Sequence, residues 1–383
     1  MRSRASLADR RKGPLDANLH RVYCHHKGEH MAKLESLFPI LGADPITSPL
    51  AKAAAAAPLD STGCLTEYRP LQTRSILSKV TSRRGLPFTH AINPYRGCEF
   101  ACRYCYARYT HEFMEFTPED FERRIFFKQN AGWLLEQELA RLKPGTEIAL
   151  GTATDPYQPL ERRQKVTRSI LEAFARTRGF SLGIVTKSTL IERDIDLLME
   201  ISRRHKLTVH FTVTTMSIRL ARLLEPRAPR PDLRIRALAA VANAGIRAGV
   251  LCSPLMPGIT DSRKSIDAVA RAAAQAGAHF FAAGALFLKP CSLPTFFKFV
   301  EEHFPDLLPA YRRRYGESAF VSAEYRKRVA DIVDSVCREY KLGRRYALPR
   351  PQDEPLPAAG AGVSNGLVEI QPWLPFASGQ LGS

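Results

Sequence analysis

The sequence predicts an α/β fold with a parallel sheet and helices packed outside it. Three observations predict this. Short apolar runs alternate with longer helix-like stretches from residue 89 to residue 303. Repeated strand–helix units of this length read as βα crossovers. The 45% hydrophobic content is enough to fill a sizeable core.

Taken in order, a short strand is expected at residues 89–93, running into a cysteine-rich loop. Residues 119–141 read as helix, with Trp133, Leu134, Leu135 and Leu139 as its apolar face. An apolar strand at 147–152 follows a Pro144-Gly145 turn. Helix at 165–178, strand at 181–186, helix at 192–205 and strand at 207–214 come next. The helix at 234–244 ends at Gly245, which suits the left-handed residue past a helix end. Strand 246–253, helix 265–276 and strand 280–288 complete the alternation, before helices at 293–303 and 323–340. That gives six βα units. Periodicity alone leaves a partial barrel and an open doubly wound sheet both possible.

The ends differ from this middle. Residues 1–65 read as a flexible, basic N-terminal extension, with Ala51–Pro58 as linker and Met31 as an alternative start. Residues 66–345 form the folded domain with its C-terminal helices, and 69–84 is a basic, polar stretch expected on its outside. Residues 346–383 are rich in Pro, Gly and small residues and read as a disordered tail, which Trp373 and Phe376 can dock. No run approaches the ~20 apolar residues of a membrane-spanning helix. The Arg-rich start lacks the apolar core of a secretory signal. With eight cysteines, three in a ligand-type cluster, a reducing, cytoplasmic setting is expected.

The formal net charge is +18. Such a bias favours a polyanion partner, and a nucleic-acid substrate is the expectation it raises. The bland reading is that Arg is simply abundant throughout, since no long Lys/Arg block dominates.

The most informative stretch is Asn93-Pro94-Tyr95-Arg96-Gly97-Cys98-Glu99-Phe100-Ala101-Cys102-Arg103-Tyr104-Cys105-Tyr106. Three soft thiolates, Cys98, Cys102 and Cys105, can clamp one face of an iron–sulfur cube. A four-iron cube normally takes four protein ligands, so one iron stays open for something else to bind. A structural zinc wants four ligands, the fourth here coming from His90, His111 or a distant Cys. Disulfides fit poorly, because three closely spaced thiols leave one odd.

The C-x3-C-x2-C spacing, with an aromatic just before the third sulfur, resembles the signature of the radical S-adenosylmethionine (SAM) enzymes. The resemblance implies a [4Fe-4S] cluster whose open iron is chelated by SAM. It implies reductive cleavage to methionine and a 5′-deoxyadenosyl radical that takes hydrogen from a substrate, on a partial (β/α)6 barrel. A low-potential electron donor such as a flavodoxin or ferredoxin is then the expected partner. Further matches, Thr154-Asp155-Pro156-Tyr157-Gln158-Pro159, Leu224-Glu225-Pro226 with Arg234, and Ser253-Pro254-Leu255-Met256-Pro257-Gly258, are similar to the group related to spore photoproduct lyase. Members of that group are often labelled DNA repair photolyase-like, and the similarity spans about residues 88–287.

In parallel α/β folds ligands sit past the carboxyl ends of strands. There the resemblance places SAM contacts. Tyr104 flanks the adenine. Thr152, Thr154 and Asp155 stand where the family often carries Gly-Gly-Glu for the SAM amino group; the plain alternative is a turn cap. Lys187 suits the SAM carboxylate, or is merely solvated. Thr212, with Thr214 on the same face, offers hydroxyls, though Thr is also a good strand former. Tyr106, Tyr109 and Tyr157 can stack on a base, supply a hydrogen atom or simply pack. Thr110-His111-Glu112 invites a metal or acid–base reading, though such a run is structural more often than catalytic. Spore photoproduct lyase returns a hydrogen atom from a Cys after its cluster, but this chain has none between Cys105 and Cys252. Cys252 and Cys291 can approach the pocket, or be ordinary core residues. Two other readings stay open: a basic nucleic-acid-binding protein stapled by zinc or iron–sulfur without radical chemistry, and a radical SAM enzyme acting on a polypeptide.

Overall fold

The structure is a computed structural model that describes residues 48–80, 86–316 and 318–343. Its strands are β1 (Ser61–Thr62), β2 (Glu67–Pro70), β3 (Leu77–Lys79), β4 (His90–Ile92), β5 (Tyr95–Arg96), β6 (Arg124–Phe127), β7 (Glu147–Leu150), β8 (Ser181–Thr186), β9 (Lys206–Thr212), β10 (Ala248–Leu255) and β11 (Phe280–Ala285). The main sheet has the order β11-β10-β9-β8-β7-β4-β3. All its pairs are parallel except the edge pair β3–β4.

This order decides between the two architectures left open by periodicity. A doubly wound sheet reverses its strand order at a switch point. Here β4, β7, β8, β9, β10 and β11 follow one another without reversal, as in a barrel wall. Among the described residues no ladder joins β11 back to β3 or β4, so the barrel is partial and has an open seam. Its strands are covered on both faces, which is why they read as apolar runs; all eight residues of β10 are buried. The helix Val166–Ala175 shows how the outer layer attaches: Ile170, Leu171 and Phe174 are fully buried.

A second, four-stranded sheet has the order β1-β2-β6-β5. β6 pairs parallel with β2 and antiparallel with β5, with Tyr95 opposite Phe127 and Arg96 opposite Phe126. This small sheet anchors the chain between β4 and the cysteines through the pairing of β5 with β6.

Several expectations are corrected. Residues 119–141 are not one helix: a 3-10 turn at Pro118–Glu122 leads into β6, and the helix is Ala131–Leu139. The aromatic run Ile125-Phe126-Phe127 wins as strand because β2 and β5 flank it and all three side chains are wholly buried. Trp133 is 64% exposed rather than on the apolar face, which Leu134, Leu135 and Leu139 do form. The alanine-rich stretch is no linker but the helix Pro49–Ala56, capped by the Ser48 hydroxyl. Ala51 and Ala54 are buried, and Ala54 and Ala57 pack with Leu71, Met114 and Phe126. Folded structure therefore begins before residue 65. The stretch from residue 69 is not all outside, since Leu71 and Ile76 are buried and β3 joins the main sheet. The readings of Met31, Trp373, Phe376 and the 346–383 tail lie outside the described residues. Gly245 does sit at φ +78° past the helix Pro231–Asn243.

Candidate active site

The three cysteines lie on a loop held from several sides. Gly97 has φ +84°, and a Cβ there would meet the carbonyl oxygens of Phe121 and Arg124 at 2.7 and 2.9 Å. Only glycine lets the chain turn so close to that backbone. Backbone bonds then run from Cys98 N to Phe121 O (3.0 Å) and from Arg103 N to Leu224 O (2.9 Å). The Glu99 carboxylate accepts from the Tyr68 hydroxyl (2.8 Å) and Leu160 N (2.9 Å), while Gln158 accepts from Glu99 N (2.9 Å) and donates to Gly97 O (3.3 Å). Beneath the loop, buried Arg108 pairs with Glu122 and donates to Pro118 O (2.9 Å). From sequence, Gln158 and Pro159 enter only as part of a family match, with no role given, and Arg108 is not singled out. A fully polar residue such as Gln158 gives no periodic signal when its job is to satisfy loop backbone.

All nine residues expected from sequence to meet the cluster or SAM line one cavity, which with its open mouth encloses about 800 Å³. Cys98 and Cys102 are buried, and Cys105 is half-buried. Tyr104 is buried, its hydroxyl donating to Glu225 and its ring 5.8 Å from the Lys187 Nζ. Thr152 accepts from Asn93 Nδ2 (3.2 Å), and its carbonyl takes the Tyr106 hydroxyl. Thr154 donates to Gly97 O (2.6 Å). Asp155 accepts from Tyr157 N (2.9 Å), the Thr186 hydroxyl (2.7 Å) and Lys187 N (2.7 Å). It thus caps its own turn and ties the mouths of β7 and β8 together. The carbonyl of Thr212 accepts from Arg234 (3.0 Å). Gly151, at φ +90°, has Val185 O 2.7 Å from where a Cβ would stand, so β7 leaves the sheet tightly against β8.

The electrostatics follow from burial among alternating charges. Burial pushes the Cys98 thiol well up, with Asp155 adding to it. Burial takes the Cys102 thiol to about 12; Lys187 opposes and Glu225 reinforces this. The Cys105 thiol is also raised by burial, against the pull of Arg108. Such thiols stay protonated until a cationic centre binds them, at which point they ionise and become strong donors. Burial alone would lower Lys187, but Cys102, Glu225 and Asp155 outweigh it and hold the ammonium charged. Glu225 is the converse: burial raises it, Arg234 and Lys187 outweigh that, and the carboxylate stays ionised. The Glu225–Arg234 pair, 2.5 Å apart and essentially unexposed, is the part of the site that sequence reasoning missed in role, though it noticed both residues.

The remaining expectations sort by position. His90 opens β4, at the strand end away from the cysteines, and bonds to Thr89 (2.9 Å). His111 is wholly buried among Phe116, Phe121 and Phe126, with Nε2 at 2.9 Å from Arg124 O. Neither stands as a fourth zinc ligand, and among the described residues no group of three or more His, Cys, Asp or Glu is gathered for a single ion. Thr110 donates to Ala107 O (2.8 Å), a bond within its own turn. Tyr157 belongs to the core. Tyr106 lines the cavity, its ring 5.1 Å from that of Phe287. Neither Cys252 nor Cys291 is part of the cavity lining: the Cys252 Sγ points to Thr214 O (3.9 Å) and the Cys291 Sγ to Tyr106 O (3.9 Å).

The geometry defines a partial-barrel protein with three thiols at the mouth of its parallel strands. A profile of the Radical SAM superfamily matches residues 92–269. An uncharacterized protein of Mycobacterium tuberculosis is 33% identical over 289 residues, 75% of this chain and 85% of the relative. An uncharacterized protein of Methanocaldococcus jannaschii is 31% identical over 172 residues, 45% of this chain and 62% of the relative. Among solved structures, a mutant of spore photoproduct lyase superposes with a TM-score of 0.54 at 18% identity, covering 77% of this chain and 83% of that one. A further mutant of that lyase, with bound AdoMet and dinucleoside spore photoproduct, gives 0.51 at 15% identity, covering 70% and 78%. The chain belongs to the radical SAM superfamily and is a radical SAM enzyme. The structural matches show the shared fold. No helix among the described residues is long and apolar enough to cross a membrane.

Proposed function

We propose that Cys98, Cys102 and Cys105 hold a [4Fe-4S] cluster in this cavity and that SAM binds beside it against Tyr104, Thr152, Thr154, Asp155, Lys187 and Thr212. When bound, the cluster and SAM together supply a one-electron reductive cleavage that yields methionine and a 5′-deoxyadenosyl radical, which abstracts hydrogen from a substrate. The observation that carries this reading is that all nine of these side chains, drawn from four strand mouths, line the same cavity.

The chain's own residues divide the work. The three thiols supply soft donors, and the burial of Cys98 and Cys102 limits the water around them. Lys187 presents a fixed positive charge to a carboxylate. Asp155 offers a carboxylate for an ammonium group while its backbone bonds hold it in place. Tyr104 provides a flat aromatic face whose tilt is set by its hydroxyl bond to Glu225. A low-potential reductant of the flavodoxin or ferredoxin type supplies the electron, and the +18 charge supports an anionic substrate, nucleic acid above all.

The test is anaerobic reconstitution with iron and sulfide, followed by dithionite and SAM. The expected result is iron and sulfide near four per chain and release of 5′-deoxyadenosine, with Cys98→Ala losing both. A colourless protein containing zinc, or an iron centre whose spectrum does not change on adding SAM, defeats the reading.

A further inference from the structure

The run Cys252-Ser253-Pro254-Leu255 closes the barrel strand β10. A strand sends successive side chains to opposite faces, so neighbours in sequence do not normally share a cavity. Ser253 and Pro254 both line the cavity that holds the three thiols. A break in register explains this. Cys252 pairs with Ala283 and Leu255 with Ala285, so β10 carries one residue more than β11 between the two pairs. Such a bulge re-aims side chains at a strand end.

At this bulge the Ser253 hydroxyl is stranded. The residue is only 6% exposed, and its Oγ is buried with no hydrogen-bond partner among the described residues. Buried hydroxyls are normally bonded, because burial removes them from water. Other hydroxyls of the cavity obey that rule. Thr154 donates to Gly97 O (2.6 Å), Thr186 to Asp155 (2.7 Å), and Tyr106 to the Thr152 carbonyl. Ser253 thus keeps both a donor and an acceptor for a molecule that enters the cavity.

The chemistry around Ser253 is unlike that at the other strand mouths. The charged side chains of the lining, Asp155 and Lys187, follow β7 and β8. The lining contributed by β10 and by the segment after β11 is Ser253, Pro254, Leu286 and Phe287, with no charge among them. The Phe287 ring is held between Tyr106, at 5.1 Å, and Phe320, at 5.9 Å. The Leu286 backbone is already committed, its N to Leu255 O (2.8 Å) and its O to the Tyr315 hydroxyl (2.9 Å). An apolar wall with one free hydroxyl disfavours a charged group, whose burial there goes uncompensated. It suits a flat, uncharged group that packs on aromatic rings and turns a polar edge to the hydroxyl.

We propose that the β10–β11 side of the cavity receives a nucleobase of the substrate, and that Ser253 orients the base by a hydrogen bond to its edge. The inference rests on the radical-site reading, which sets SAM against the mouths of β7, β8 and β9 and leaves this side for the group that loses hydrogen. The +18 charge favours a nucleic acid as the carrier of that flat group, its phosphates staying outside the uncharged wall. Ser253 is then a positioning residue for the substrate and makes no contact with SAM.

The test compares full-length, reconstituted wild type with Ser253→Ala in three measurements. Thermal melting separates a ligand role from a structural one: with no protein partner to lose, Ser253→Ala is expected to melt at or above the wild-type temperature. Substrate-free formation of 5′-deoxyadenosine is expected to keep its KM for SAM. Fluorescence anisotropy, with SAM and without reductant, then reads the base. The probes are labelled single strands of abasic residues that carry one central thymine, cytosine, adenine or guanine, or no base. Wild type is expected to bind at least one of the four about fivefold more tightly than the baseless strand. Ser253→Ala is expected to lose most of that preference with an unchanged salt slope, because phosphate contacts are untouched. Ser202→Ala, on the exposed side of the helix Ile195–Arg204, is expected to change none of the three. A lower melting temperature in Ser253→Ala reveals a structural partner, and a raised KM for SAM makes Ser253 a SAM contact; either overturns the assignment. Equal binding of all five strands by wild type, or a base preference that survives in Ser253→Ala, overturns it as well, with the cluster intact. A chain that binds no iron, or whose cluster does not respond to SAM, overturns the radical reading and this assignment with it.

Discussion

The hydroxyl of Tyr104 donates to the carboxylate of Glu225, 121 residues away in sequence, and Glu225 in turn faces Arg234 at 2.5 Å. The aromatic between two cluster cysteines is thereby fixed to a buried ion pair beneath the barrel mouth. Removing one partner of such a pair strands a charge in a poorly solvated place, at a cost of about 3–5 kcal/mol. Glu225→Leu and Arg234→Met are each expected to lose that much in urea unfolding, while the double variant loses less than the sum. Simple additivity of the two losses would show that the pair is not coupled.

The same ion pair has a chemical consequence. Glu225→Gln keeps the shape but loosens the hold on Tyr104 and removes a negative charge near Lys187. The KM for SAM in substrate-free 5′-deoxyadenosine formation should rise several-fold, with a smaller change in kcat. Tyr104→Phe should give the same shift, and combining the two should add nothing. Independent, multiplying effects would refute the idea that Glu225 acts through the Tyr104 ring.

Lys187 is expected to act directly. It lines the cavity, and the neighbouring carboxylates Glu225 and Asp155 favour its charged ammonium. Lys187→Met removes a charge-assisted contact of roughly 1.5–3 kcal/mol. The KM for SAM should therefore increase about ten- to hundredfold, while iron and sulfide content stay at the wild-type level. An unchanged KM would place the SAM carboxylate elsewhere.

Much of this is legible in the amino-acid sequence, for a physical reason. The barrel strands are buried on both faces, so they appear as apolar runs, and their spacing by helices is regular. The cysteine spacing and the polar residues at the strand mouths are local signals, and all nine do converge on one cavity. What escaped was set by distant pairing. The strand at Arg124–Phe127 exists because β2 and β5 lie alongside it, and nothing in residues 119–141 announces those partners. The helix Pro49–Ala56 looks like linker because alanine carries so little hydrophobic signal, yet its small side chains let it pack closely on Leu71 and Phe126. Glu225 and Arg234 stand in the sequence only as pieces of a family match, and it is folding that pairs them with each other and with Tyr104.

The turn at Gly97 sets a steric limit on the cluster loop. Gly97→Ala puts a Cβ within 2.7 Å of Phe121 O in a left-handed backbone, adding about 1–2 kcal/mol of conformational cost to the clash. Since the carbonyl of Gly97 also receives Thr154 and Gln158, relief of the clash would move both. The variant is expected to lose thermal stability and to bind well under half the wild-type iron. Full iron loading with an unchanged melting temperature would mean that the loop is more pliable than its bonds imply.

The buried imidazole of His111 gives the fold an acid limit. Burial among three phenylalanines pulls it down to about 4, against an ordinary value of 6.5. Between these two values the unfolded chain holds a proton that the folded chain lacks, so stability falls as pH drops from 6.5 toward 4 and levels off below. At about 1.4 kcal/mol per pH unit, the loss from this one residue comes to about 3.5 kcal/mol. His111→Gln, which retains a donor for Arg124 O, should be less stable than wild type at pH 7 through poorer packing. It should nevertheless lose less stability between pH 6.5 and 4.5. Urea unfolding at a series of pH values measures the difference, and parallel curves for the two proteins would show that His111 does not carry the acid sensitivity.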